Sequence, residues 1–205
     1  MVTDACSNTR APVIHTINLN DTNPPEGTGT LSMINVEGCS IADAPAAVTT
    51  VAALEALPGN LLVTDGCTSD ANITVTHSQT TSGSCPLVVT RTYVVADACG
   101  NTASTVQVIQ VDDNTSPVIT GSIANTNIQG CSAAAAPPPA TTVAALEALG
   151  LTITDQCTAD ANLLVSSSDV SLGTCPIVIT RTYTLSDACG NTTSAVHTIQ
   201  VMDNI

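Results

Sequence analysis

Nine cysteines are the most reactive side chains in this 205-residue chain, and few other reactive types stand beside them. A cytosol would keep nine thiols reduced, so this number points to disulfides formed in an oxidising compartment. Zinc would need closely spaced thiolate pairs, which the chain lacks. The three histidines, His15, His77 and His197, form no repeated set with Ser and Asp, and no GxSxG segment occurs. His15 and His197 sit on equivalent strands where the middle of the chain has Gln107, so they read as solvent-facing strand residues. The chain is therefore not expected to be an enzyme, and no motif requires a cofactor.

Carboxylates are the other chemistry on offer. Seventeen Asp and Glu against three Lys and Arg give a net charge of -14. All three cations are Arg; without Lys, a spontaneous isopeptide crosslink is excluded. The cation cluster that nucleic acid or an anionic membrane surface demands is missing too. No apolar run approaches the roughly 20 residues of a membrane span, so no membrane insertion is expected. Asp112, Asp113 and Asn114 lie between two similar halves, with Asp21 and Asp203 at equivalent places. Asp65, Asp97, Asp155 and Asp187 lie near turns. Hard oxygen ligands at a junction suit Ca2+. Asp and Asn are equally the ordinary residues of turns, and no EF-hand spacing is present.

These residues recur with a period of 90 to 92. TTVAALEAL at Thr49 to Leu57 returns at Thr141 to Leu149. CPLVVTRTY from Cys85 returns as CPIVITRTY from Cys175, and DACGNT from Asp97 returns from Asp187. Cys39, Cys67, Cys85 and Cys99 correspond to Cys131, Cys157, Cys175 and Cys189. A third copy of the turn, DACSNT at Asp4 to Thr9, makes residues 1–21 the hairpin remnant of a preceding repeat, followed by repeats at 22–114 and 115–205. No signal peptide is present, and the chain reads as a piece of something longer. Cys6 has lost the part of its repeat where a partner would sit, which leaves a stray thiol or an intermolecular bond.

The elements that must position these residues are short runs of Val, Ile and Thr broken by Gly, Asp, Asn and Pro, which is strand chemistry. Leu87 to Val95, the DACGNT turn and Ser104 to Val111 form the clearest hairpin. One short helix interrupts, with Thr49 or Thr50 as N-cap and Val51, Leu54 and Leu57 buried. About seven strands in about 90 residues fit an all-β fold of tandem immunoglobulin-like sandwiches. In such a sandwich Cys39 and Cys85 lie at one pole, Cys67 and Cys99 at the other. Four Cys allow three pairings; topology favours Cys39 with Cys85 and Cys67 with Cys99, then Cys131 with Cys175 and Cys157 with Cys189. Arg91 and Arg181 fall on the apolar face of their strands, and a buried Arg needs a partner. Repeat 2 holds one Arg and one Glu, so Arg181 is expected to pair with Glu147 and Arg91 with Glu55; the alternative is an Arg that snorkels past the sheet edge.

The string CTADANLLVSSSDVSLGTCPIVITRTYTLSDACGNTTSAVHTIQV, preceded by GCSAAAAPPPATTVAALEALG, resembles the four-cysteine hyalin-repeat-like (HYR-like) immunoglobulin-fold domains of large Bacteroidota surface proteins, including gliding-motility adhesins. The likeness covers both repeats and the remnant. It implies a structural and adhesive module, secreted to the cell surface, whose partners are neighbouring repeats in a semi-rigid stalk or fibre. It carries over no catalytic residue. Two alternatives stay open: a self-assembling filament in which residues 1–21 add a strand to another copy, and a ligand-binding adhesin that uses pole loops such as Ser78 to Ser84 and Ser168 to Thr174.

Overall fold

The computed structural model describes residues 2–3, 5–7 and 9–203; Met1, Asp4, Asn8, Asn204 and Ile205, at the margins of the sequence divisions above, lie outside the described residues. Val2–Thr3 (β1) pairs with Thr9–Arg10 (β2), after which residues 11–20 run exposed and without regular structure. Two sets of six strands follow. The first comprises Glu26–Thr28 (β3), Ile34–Glu37 (β4), Leu62–Thr64 (β5), Thr74–Ser82 (β6), Leu87–Ala96 (β7) and Thr102–Asp112 (β8). The second comprises Val118–Gly121 (β9), Thr126–Gln129 (β10), Leu151–Thr154 (β11), Leu164–Leu172 (β12), Ile177–Ser186 (β13) and Thr192–Met202 (β14). Each set makes a four-stranded sheet, β4-β8-β7-β6 or β10-β14-β13-β12, faced by a two-stranded one, β3-β5 or β9-β11. The fold is all-β and immunoglobulin-like, with six strands per unit where the composition suggests about seven.

Local chemistry accounts for the elements. On β7, Val89, Arg91, Tyr93 and Val95 alternate inward, the period of a strand with one buried face. The β7–β8 and β13–β14 hairpins close through Gly100 and Gly190, at φ of 88° and 90°, where a side chain would be strained. The helices are a single turn each, Val51–Glu55 (α1) and Val143–Glu147 (α2). Each is capped by a Thr hydroxyl, Thr50 or Thr142, that accepts the N–H of Ala53 or Ala145. Val51 and Leu54 are buried and Leu57 packs half-buried against them.

Each sandwich holds its core in two clusters. Around Tyr93 gather Val51, Leu54, Val63, Ile73 and Val95; separately, Val89, Ile109 and Val111 pack with Ile34 and Val36. The second unit repeats both clusters about Tyr183 and about Ile179, Ile199 and Val201. Between the clusters lies a polar belt, because Arg91 and Gln107, or Arg181 and His197, occupy inward positions of adjacent strands.

The belt corrects three expectations. Neither Arg snorkels: both are 4% exposed. Their partners are not the helix glutamates. Arg91 donates to Gln79 through Nε and Nη2, and Arg181 makes a two-point ion pair with Asp169 at 2.8 Å. Register explains the difference, since Gln79 and Asp169 stand directly opposite on the neighbouring strand. Glu55 and Glu147 instead accept the N–H of Val63 and Ile153, fastening each helix to the small sheet. His197 is buried, not solvent-facing, and shares a 2.8 Å hydrogen bond between Nε2 and Thr126 Oγ1. It alternates with Ile199 and Val201, which turn inward with it.

Candidate metal centre

The acidic residues converge at the end of each sandwich where the chain enters. Asp65 follows β5, Asp97 opens the β7–β8 turn, and Asp21 arrives on the incoming segment; a carboxylate oxygen of each lies within 4.8 Å of the others. Asp113, Asp155 and Asp187 form the same triad at the equivalent end of the second sandwich. Asp113 belongs to the segment leaving the first sandwich, so this triad spans the join between the two units.

One oxygen of each carboxylate is consumed locally. Asp155 Oδ1 accepts the N–H groups of Cys157 and Thr158, as Asp65 Oδ1 does from Cys67 and Thr68. Asp187 Oδ1 accepts from Cys189 and Asn191, and Asp113 Oδ1 from Thr115. Asn191 ties the arrangement together, because its Nδ2 donates both to Asp187 Oδ2 and to the backbone carbonyl of Asp113, each at 2.8 Å. Asn101 does the same between Asp97 and Asp21. These bonds are why Asp97 is held below the usual carboxylate range: burial opposes its charge, and the donors of Asn101, Cys99 and Gly100 outweigh that opposition.

The second oxygens of the two entering aspartates, Asp113 and Asp21, have no such partner. Asp113 is 4% exposed and its Oδ2 is buried without a hydrogen bond, as is Oδ2 of Asp21. Burial, followed by the like charges of Asp155, Asp187 and Glu37, pushes the Asp113 carboxyl above its ordinary range. Among the described residues no Arg answers these charges: Arg91 and Arg181 are engaged in the belts, and Arg10 lies on the exposed β2 strand. A hard divalent cation coordinated by carboxylate oxygens is the natural complement, and the donor set fits Ca2+.

Of the four sequence-predicted ligands, Asp113 and Asp21 therefore occupy triads, one in each. Asp112 and Asn114 do not. Asp112, one residue earlier on an alternating strand, points away and lies near the sulfurs of Cys85 and Cys189. The Asn114 side chain and backbone donate to Glu37, whose carboxyl they hold below its usual range together with Thr115 Oγ1. Glu37 thus clasps the connecting segment.

The same join carries both disulfides, Cys39–Cys157 and Cys85–Cys189, with Cα separations of 4.9 and 5.2 Å. This overturns the within-repeat pairings Cys39–Cys85, Cys67–Cys99, Cys131–Cys175 and Cys157–Cys189. Cys39 and Cys85 lie together at the leaving end of the first sandwich, and Cys157 and Cys189 at the entering end of the second. Gly38 N–H donates to the carbonyl of Asp112, which sets Cys39 at the end of β8, and Cys85 precedes Leu87 opposite Val111. End-to-end stacking then brings each sulfur nearer to one across the join than to its neighbour in the same unit. Asp43 helps to fix Cys39 by accepting its N–H and that of Ser40, which keeps this carboxyl low. Cys67, Cys99, Cys131 and Cys175 remain thiols and are exposed. The Asp21 carboxylate beside Cys67, with burial and Asp65, pushes that thiol up.

Comparison with family models and with curated protein sequences finds no match. Among solved structures the chain is similar to human mucin-like protocadherin EC1-2, at 9% identity and a TM-score of 0.32, over 87% of this chain and 98% of that one. It is also similar to protocadherin gamma B7 extracellular cadherin domains 1-4, at 17% identity and 0.30, and to Drosophila N-cadherin EC1-4, at 14% and 0.27. This chain spans about half the length of the latter two, at 52% and 51%.

Proposed function

We propose that the chain is a structural and adhesive module of an extracellular surface protein, in which HYR-like repeats at 22–114 and 115–205, preceded by the remnant 1–21, stand end to end as a semi-rigid stalk. Its role is mechanical and not catalytic. A divalent cation, Ca2+ by its chemistry, sits among Asp113, Asp155 and Asp187 and makes the join stiff; a second sits among Asp21, Asp65 and Asp97. The observation that carries this reading is the buried, unpartnered Oδ2 of Asp113, which two further carboxylates face across the join. Disulfides at the same place support an oxidising, extracytoplasmic setting.

Calorimetric titration of the chelator-treated protein with Ca2+ tests it. Two sites are expected, one lost in Asp155→Asn and the other in Asp65→Asn. At a calcium concentration one hundred times the dissociation constant, each occupied site adds about 2.7 kcal/mol of stability. Heat and melting curves unmoved by calcium would end the cation reading.

A further inference from the structure

The join shows which cysteines bond across a pole: Cys39 with Cys157 and Cys85 with Cys189. Shifted by one period, each of these has an exposed thiol as its counterpart. Cys67 and Cys99, at the entering end of the first sandwich, match Cys157 and Cys189; Cys131 and Cys175, at the leaving end of the second, match Cys39 and Cys85. The entering end of the first sandwich and the leaving end of the second therefore present the two halves of the join that lies between them. The halves are also alike in their supports. Thr68 Oγ1 accepts the N–H of Ala98 beside Cys67 and Cys99, as Thr158 accepts that of Ala188 beside Cys157 and Cys189. Gly130 N–H donates to the carbonyl of Met202 ahead of Cys131, as Gly38 does to Asp112 ahead of Cys39.

We infer that these ends dock on one another, so that a second copy of this chain joins head to tail with Cys131 bonding Cys67 and Cys175 bonding Cys99. The contact is heterologous, and repeated from copy to copy it builds an open fibre. Each bond forms by thiol–disulfide exchange. One thiolate attacks a low-molecular-weight disulfide such as oxidised glutathione and releases one glutathione thiolate; the second protein thiolate then displaces the other. Two protein thiols are oxidised by two electrons and two glutathione thiols carry away the protons. The exposed segment 11–20 leaves Cys67 and Cys99 reachable. Between copies the incoming end meets a triad that Asp21 already completes, so the sulfurs make the join and no cation is required. The inference therefore stands whether or not the triads bind calcium.

The test is oxidation of the purified chain in a glutathione redox buffer with chelator present, read by non-reducing electrophoresis and by mass spectrometry of linked peptides. Cys6→Ser is carried throughout, so that no link through residue 6 contributes. A ladder is expected, with Cys131–Cys67 and Cys175–Cys99 peptides in its bands. Cys67→Ser/Cys99→Ser alone and Cys131→Ser/Cys175→Ser alone give monomer, and an equal mixture of the two gives dimer and nothing larger. Alkylating the folded chain before oxidation, which caps exposed thiols without any substitution, also abolishes the ladder. A ladder that survives in either double variant overturns the inference. So does a Cys6→Ser chain, otherwise unsubstituted, that stays monomeric with Cys67 bonded to its own Cys99.

Discussion

The two sandwiches agree where they meet a neighbour and differ where they meet only themselves. Their acidic triads match bond for bond, down to the Asn that bridges a carboxylate and an incoming carbonyl. Their polar belts do not match. The first unit places Arg91 against a neutral Gln79 beside Gln107, whereas the second places Arg181 against a charged Asp169 beside His197 and adds a hydrogen bond to the carbonyl of Pro137. An interior needs only to satisfy its own buried groups, and several side chains can do that. A pole must fit the next unit, and here its polar groups coincide.

The sharpest separation of pole from pole is covalent. The internal join closes loops of 118 and 104 residues, so Cys39→Ser/Cys157→Ser is expected to cost about 4 to 5 kcal/mol in the chain-entropy model. Cys67→Ser and Cys99→Ser, equivalent positions at an exposed end, should each move stability by less than about 0.5 kcal/mol. Denaturant titration of the monomer in chelator measures both, and equal losses would erase the distinction between the join and the ends.

The belts come next in size. Arg181→Met strands a carboxylate that is 40% exposed and so retains part of its hydration, for an expected loss of about 2 kcal/mol. Arg91→Met leaves an amide without its donor, for about 1 kcal/mol. Arg181 also keeps the Asp169 carboxyl below its ordinary range, mainly through their hydrogen bonds. That contribution is present above the unfolded carboxylate value and disappears as pH falls through the folded one, so acid should narrow the gap between the two variants.

The smallest effect reads the join by pH. Asp113 has a raised carboxyl, so without cation its contribution is fully present below the unfolded value and is lost as pH rises through the folded one. In chelator at pH 7, Asp113→Asn should therefore be more stable than the parent, with the advantage fading toward pH 4. In saturating calcium the order reverses. A variant less stable than the parent under both conditions would show that Asp113 acts only as a turn former.

Much of this was legible before any coordinates. Alternation in Leu87 to Val95 locates a strand with one buried face, and the Thr-capped helix and the Asp-Ala-Cys-Gly-Asn-Thr turn follow from their own local bonds. Those bonds span a few residues, which is why sequence carries them. The partners of Arg91 and Arg181 required strand register, and spacing along the chain does not supply register. His197 was readable from its alternation with Ile199 and Val201, a signal outweighed by its polarity. The disulfides escape the sequence for a different reason: taken alone, each repeat puts two sulfurs at each pole, where they would join one another. Only stacking shows that the nearer sulfur belongs to the next unit. The triads were half visible in the same way, since Asp155 and Asp187 stood apart from Asp113 until two units shared an end.

Three covalent strands cross the middle of this molecule: the peptide segment through Pro117 and the two sulfur bridges. Tension applied at the ends is shared among them, so the connecting segment need not bear it alone. The bridges also bypass most of the chain. A path from Asp21 through Cys39 to Cys157 and on to Asp203 runs over about a third of the residues between those ends, and that path caps how far the rod can lengthen even if both sandwiches unravel. The parallel pairing of β4 with β8 adds a second brake, because force along those strands loads their hydrogen bonds together in shear and does not open them one by one. Extension of the chain is thus limited by covalent bonds as well as by the fold.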